Sequence, residues 1–201
     1  VGGAGGRSRR RPRARVGSRR VRSLNMQSAF VFLIDTLFSL LFWVFLLRLL
    51  LQWNRSSLRN PVVGAVMQLT NWLVLPLRRI LPSIGRIDTA SLVSVFAVAL
   101  LQIGALRVAA GMDLPDAGSW LIAAALEVLR SVLWLYFWAI FAYALISMIA
   151  PGVDSPVLDI LDALCEPILR RIRRAVPNVA GLDLSPMWAG IIIQVLLILL
   201  R

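Results

Sequence analysis

The 201-residue sequence has no histidine and a single cysteine, Cys165. These absences exclude a disulfide framework, a histidine-ligated zinc or haem site, and a Cys–His or Ser–His catalytic pair. Acidic residues number only ten, and most lie between the apolar stretches. No phosphate-cradling glycine loop or dinucleotide fingerprint is present. With so little of the chemistry of active sites available, neither a cofactor nor an enzymatic activity is expected.

Apolar residues are abundant instead. They make up 59% of the chain, and the mean hydropathy is +0.78, well above the usual soluble range. A helix needs roughly 20 apolar residues to cross a hydrocarbon layer of about 30 Å. Ala29–Leu51, Ala90–Ala110 and the run from Trp120 to Ala150 meet that length, and Met187–Leu200 falls short of it. A soluble fold would have to bury four such helices with almost nothing polar to cover them. The composition therefore predicts an all-α integral membrane protein with four transmembrane helices.

The chain also repeats itself at a constant offset of 95 residues. Asn60-Pro61 is answered by Ser155-Pro156, Arg78-Arg79 by Arg173-Arg174, Pro82 by Pro177 and Asp88 by Asp183. Phe42-Trp43 is answered by Phe137-Trp138 in the same register. Such self-similarity sets the architecture. It predicts two tandem hairpin repeats, residues 26–110 and 119–201, joined by an acidic loop at 111–118 that carries Asp113 and Asp116. Each unit holds two spans, so the copies share one orientation and both Arg-Arg segments face the same side.

Between the two spans of each repeat lies a proline-bounded amphipathic segment. Asn60-Pro61 reads as a helix N-cap followed by proline at the first helical position. In the second copy Asp159, Asp162, Glu166, Arg170 and Arg173 recur every three or four residues, with Leu158, Leu161, Leu164, Ile168 and Ile172 opposite. That is the period of an amphipathic helix. Acids early and arginines late complement the helix dipole, and Glu166–Arg170 is a favourable i,i+4 pair. A helix of this kind lies in the membrane interface. Arginine accumulates in cytoplasmic loops, so Arg55, Arg59, Arg78, Arg79 and Arg86, and Arg170, Arg171, Arg173 and Arg174, are expected to face the cytoplasm.

Residues 1–25 carry nine of the 22 arginines and no acid. They have too little apolar surface to form a core and have no counterpart in the repeat. They read either as an arm for nucleic acid or anionic lipid, or as an over-extended reading frame whose translation begins at Met26. The second reading is the one expected, with a disordered tail and no nucleic-acid partner.

The doubled pattern of Asn/Ser-Pro, then Arg-Arg-x-x-Pro, then Gly and Asp resembles the YggT family, over Met26 to Arg201. That family includes the Gram-positive YlmG proteins and related chloroplast proteins. Thr89-Ala90-Ser91 departs from Leu184-Ser185-Pro186 in the second copy. The resemblance implies an integral membrane protein without an established molecular activity. It also implies links to osmotic-stress tolerance, to cell division and nucleoid distribution, and in chloroplasts to covalent haem attachment to cytochrome b6.

Three groups of residues are candidates for function. Arg78, Arg79, Arg170, Arg171, Arg173 and Arg174 could hold anionic headgroups or a cytoplasmic partner, or could only fix topology. Asp35, Glu127 and Arg130 are ionisable residues within apolar stretches, where such groups mark function or need a partner. Asp35 and Arg130 lie 95 residues apart and are expected to pair between helices, with Glu127–Arg130 on one helix as the competing pair. Asp88 and Asp183 are expected to cap the following helices. Arg48 is expected to snorkel from the inner end of the first span, near Trp53. No metal site is expected. The leading functional expectation is a non-enzymatic scaffold or assembly factor of the cytoplasmic (inner) membrane. It would act in envelope maintenance, division or osmotic adaptation, with anionic lipid and a membrane or division protein as partners. The alternative is a small homo-oligomeric channel or transport component.

Overall fold

A computed structural model describes residue 2 and residues 16–54, 59–81, 88–149, 155–175 and 183–201, with the backbone alone for 16–25. Arg55, Arg86, both Pro-to-Gly breaks and residues 3–15 lie outside the described residues. Those described form six helices and no strand: α1 (Val16–Trp53), α2 (Pro61–Ile80), α3 (Thr89–Ala109), α4 (Ala117–Ile149), α5 (Pro156–Ala175) and α6 (Ser185–Leu199). α1 begins ten residues before Met26, in a segment expected to lack structure. A helix already nucleated by packing elongates at low cost, and arginine is a good helix former.

Local chemistry explains the helix ends. Asn60 caps α2 by accepting from the Val62 and Val63 amides at 2.9 and 3.5 Å, with Pro61 first in the helix. The Ser155 hydroxyl accepts from the Val157 amide at 3.3 Å to start α5. α3 ends at Gly111, whose φ of +70° suits glycine. There the amides of Gly111 and Met112 return to the carbonyls of Val108 and Arg107 at 3.0 and 2.8 Å. Asp116 opens α4 by accepting from the Ser119 amide and hydroxyl.

Three helices, taken as Met26–Trp53, Thr89–Ala109 and Ala117–Ile149, are long and apolar enough to cross a membrane, and α6 is a shorter apolar helix. Only 11% of the most apolar window of α4 is buried inside the protein, so its surface needs an apolar surrounding. The chain is a membrane protein. α1 packs on α2 and α3, α4 on α5 and α6, and α3 on α4. Gly104 permits that last contact, since a Cβ there would lie 2.8 Å from the Trp120 ring. The Trp120 indole in turn donates to the Leu100 carbonyl at 3.1 Å.

α5 departs from simple pairing by also touching α1 and α2. Its apolar residues Ile160, Leu164, Cys165 and Leu169 join one core with Leu50, Leu51, Val63 and Val66 of the first half and Ile140 and Ala189 of the second. A second core joins Phe42, Phe45, Leu46 and Leu49 of α1 with Val74, Val95, Val98, Ala124 and Val128. Ile160, Leu164 and Leu169 of α5 are thus buried against protein, while Leu158, Leu161, Ile168 and Ile172 on the apolar face are only partly covered.

Candidate functional site

The most polar buried region sits where α1, α2 and α3 meet. Arg48 is 2% exposed. One of its terminal nitrogens donates to the Thr70 hydroxyl at 2.7 Å, the Asn71 side-chain oxygen at 3.0 Å and the Met67 carbonyl at 3.2 Å. It does not snorkel, because α2 crosses close enough to supply acceptors without water. Beside it, Arg78 donates to Asp88 at 2.6 Å. The Ser91 hydroxyl lies 2.7 Å from the same carboxylate oxygen and 2.8 Å from the Gln52 oxygen. Arg48 Nε and the second Asp88 oxygen are the buried side-chain polar atoms without a partner among the described residues. Both belong to this cluster.

Burial pushes the Asp88 carboxyl up, but the Arg78 guanidinium, the Ser91 hydroxyl and the nearby Arg48 charge outweigh it. The carboxyl is held below the ordinary range. Asp88 occupies the N-cap position of α3, yet its side chain makes no cap hydrogen bond. The expected cap role is corrected, because the carboxylate is turned toward Arg78 and the Ser91 hydroxyl.

A looser cluster occurs 95 residues on. Arg173 donates to Asp183 at 2.8 Å and to Glu166 at 3.0 Å, and Arg170 donates to Glu166 at 3.3 Å. Tyr143 stands at the position corresponding to Arg48 and lies 3.3 Å from Asp162. Asp183 accepts from the Ser185 amide at 2.9 Å and the Ser185 hydroxyl at 2.5 Å. In this copy the aspartate does bond at the start of the next helix. Burial raises its carboxyl, and Ser185 and Arg173 more than offset that rise. The Cys165 thiol is buried and pushed up to about 12, by desolvation first and Asp162 second. It is an inert packing group at neutral pH.

The six candidate arginines therefore divide. Arg78, Arg170 and Arg173 are held by acids of the same chain. Arg79, Arg171 and Arg174 are exposed and make no ion pair with another described residue. In each Arg-Arg dipeptide the first arginine pairs with an acid of the chain and the second has no such pair among the described residues.

The intramembrane charges are not paired as expected. Asp35 accepts from Gln102 at 3.0 Å, with Ser39 beside both. Arg130 donates through two nitrogens to the Leu200 carbonyl at the end of α6, the Nε contact being 3.0 Å. Glu127 is exposed on α4 and forms no ion pair among the described residues. Both expected pairs are thus corrected. A free carbonyl at a helix C-terminus already satisfies the guanidinium, and Gln102 on the adjacent α3 is nearer to Asp35. Asp35→Ala and Arg130→Ala are accordingly expected to have additive effects on unfolding free energy, within about 0.5 kcal/mol. A double variant no worse than either single one would restore the inter-helix pair.

Asp35 also lines a cleft of about 820 Å³ between α1 and α3, with Gln27, Phe32, Arg107 and Met112. Among the described residues, no three His, Cys, Asp or Glu side chains come together as a metal site.

Comparison with known proteins places this arrangement. The CCB3/YggT family model matches residues 27–109 and 122–201. The chain belongs to the CCB3/YggT family. An uncharacterised Pseudomonas aeruginosa protein is 32% identical over 176 residues, covering 86% of this chain and 88% of that protein. The uncharacterised YggT protein of Escherichia coli K12 is 33% identical over 166 residues, covering 82% of this chain and 85% of its own length. An uncharacterised Vibrio alginolyticus protein is 34% identical over 155 residues, with 77% and 83% coverage. No solved structure matches the chain.

Both clusters of this YggT-family chain fall inside the matched segments. Sequence reasoning did not single out Gln52, Thr70, Asn71, Ser91 or Gln102. Their signal was present. Isolated polar residues in apolar stretches must find a partner inside the protein, but nothing in the sequence says which one.

Proposed function

We propose that this YggT-family protein is a non-enzymatic scaffold or assembly factor of the cytoplasmic membrane. In this reading α1, α3, α4 and α6 form four spans arranged as two tandem hairpins of one orientation. α6, at about 22 Å, is accommodated by local thinning of the bilayer. α2 and α5 cover the cytoplasmic ends, and Arg79, Arg171 and Arg174 engage anionic headgroups or an acidic partner of the envelope or division machinery. Each such arginine near an anionic leaflet contributes about 1 kcal/mol.

The observation that carries this reading is the separation of the polar groups. Asp35, Ser39 and Gln102 form one set and Arg48, Gln52, Asp88 and Ser91 another. Phe42, Phe45, Leu46, Val95, Val98 and Ala99, each no more than 3% exposed, fill the space between them along α1 and α3. Ions crossing one chain would have to pass through packed hydrocarbon. This disfavours the channel as a monomer.

Purified protein in liposomes tests the proposal. No ion flux is expected above that of empty vesicles, while crosslinking in native membranes should recover a partner through the faces bearing Arg79, Arg171 and Arg174. Flux that disappears with Asp35→Asn or Glu127→Gln would overturn the scaffold reading in favour of the channel.

A further inference from the structure

α2 and α5 present opposite chemistry to their surroundings. On α5, Ile160 and Leu164 are buried in a core built from both halves of the chain. Their counterparts 95 residues earlier, Ala65 and Leu69, are exposed. Leu69, Trp72 and Leu75 are 64%, 63% and 49% exposed. With Arg79 they follow one another at helical spacing and form a single stripe. Arg78, one residue away, is paired with Asp88. α2 contains no acidic residue, so nothing on the stripe neutralises Arg79.

The stripe lies level with the apolar body of α1. Val74 on the other side of α2 is packed with Phe42, Phe45 and Leu46, in the body of α1. The Trp72 ring meets Phe45 edge-on with centroids 6.3 Å apart. Leu69 closes a groove of about 340 Å³ with Leu37, Phe38, Leu40, Leu41 and Val44 of α1. The ten residues from Leu69 to Arg79 span about 15 Å of helix, and half of a hydrocarbon layer of about 30 Å is the same length. An apolar stripe one leaflet long, ending in a guanidinium that no acid among the described residues pairs, has the shape and charge of a phospholipid site. A second copy meeting this face across a two-fold axis would bring two Arg79 side chains toward each other.

We propose that this stripe binds one anionic phospholipid of the inner leaflet, with an acyl chain in the α1/α2 groove and the phosphate on Arg79. The inference deepens the headgroup reading above and rests on α1 spanning the membrane, not on any protein partner. The second half has no such site, because Ile160 and Leu164 are covered by protein.

The test uses the full chain reconstituted in vesicles of equal parts phosphatidylglycerol and phosphatidylcholine, with the lipids retained per chain counted by native mass spectrometry. One phosphatidylglycerol is expected to be retained in preference to phosphatidylcholine. Arg79→Gln should lower that retention about fivefold. Leu69→Trp, which fills the groove, should lower it as well, whereas Arg174→Gln, which removes headgroup attraction without a groove, should lower it less. Leu40→Trp fills the groove from α1 should Leu69→Trp fail to fold. Wild-type retention in both Arg79→Gln and a groove-filling variant would overturn the proposal. An equal loss with Arg174→Gln would overturn the site but leave diffuse headgroup attraction standing. A dimer that dissociates on Leu69→Trp would assign the face to a second copy and overturn the site. No phosphatidylglycerol retained by any form would overturn both readings.

Discussion

Replacing Arg48 by methionine is expected to destabilise the protein by about 3 kcal/mol, because the guanidinium is the buried hub between α1 and α2. Methionine keeps much of the apolar volume of the arginine stem. It removes the donor that holds the Met67 carbonyl, Thr70 and Asn71 to α1. Thr70 keeps its bond to the Val66 carbonyl at 2.6 Å, so the loss falls on Asn71 and the Met67 carbonyl. For a chain of this size the expected drop in melting temperature is about 6–12 °C, measured in detergent micelles against the parent. Arg48→Lys should lie between, since an ammonium cannot match a planar guanidinium. An unchanged melting temperature would mean that desolvation of the guanidinium cancels its bonds, and that Arg48 does not latch α2 to α1.

The second large effect is an asymmetry between two aspartates that look equivalent in the sequence. Asp88→Asn is expected to cost about 3 kcal/mol, because it leaves Arg78 without its acid and removes the negative charge near the buried Arg48. Asp88 is 7% exposed, whereas Asp183 is 35% exposed in its pair with Arg173. Water screens the second pair, so Asp183→Asn should cost less than about 1 kcal/mol. Equal losses would show that burial does not separate the two sites.

The pH dependence of Asp88 has a definite sign. Its carboxyl is held below the ordinary value, so the native state favours the carboxylate more than the unfolded chain does. Its contribution is complete above the unfolded value of about 3.9 and is lost as pH falls through the lower native value. The stability difference between parent and Asp88→Asn should therefore be constant from neutral pH to about pH 5 and shrink below about pH 4. A gap that widened on acidification would contradict the direction of the shift.

Much of the fold was legible because its signals are local. The apolar lengths of α1, α3 and α4 follow from composition, and the start of α2 from Asn60-Pro61. The charged face of α5 follows from residues spaced three and four apart. The site was legible only in part. Arg78, Asp88, Arg173 and Asp183 stand out through the repeat, but Gln52, Ser91 and Gln102 do not. A lone polar side chain in an apolar helix announces a need without naming its partner.

Residue order alone established that this chain is a helical membrane protein of the YggT family and where its arginines concentrate. Packing between distant segments settled which arginine is held by an acid and which has no such pair among the described residues. It also settled that Arg48 is buried, and that α2 keeps an open apolar stripe while α5 does not. Periodicity reports which face of a helix is apolar, whereas the neighbour that covers it depends on contacts far apart in the chain. Two helices with corresponding sequences meet different neighbours, because α5 packs on α4, α6, α1 and α2 whereas α2 packs on α1, α3 and α5.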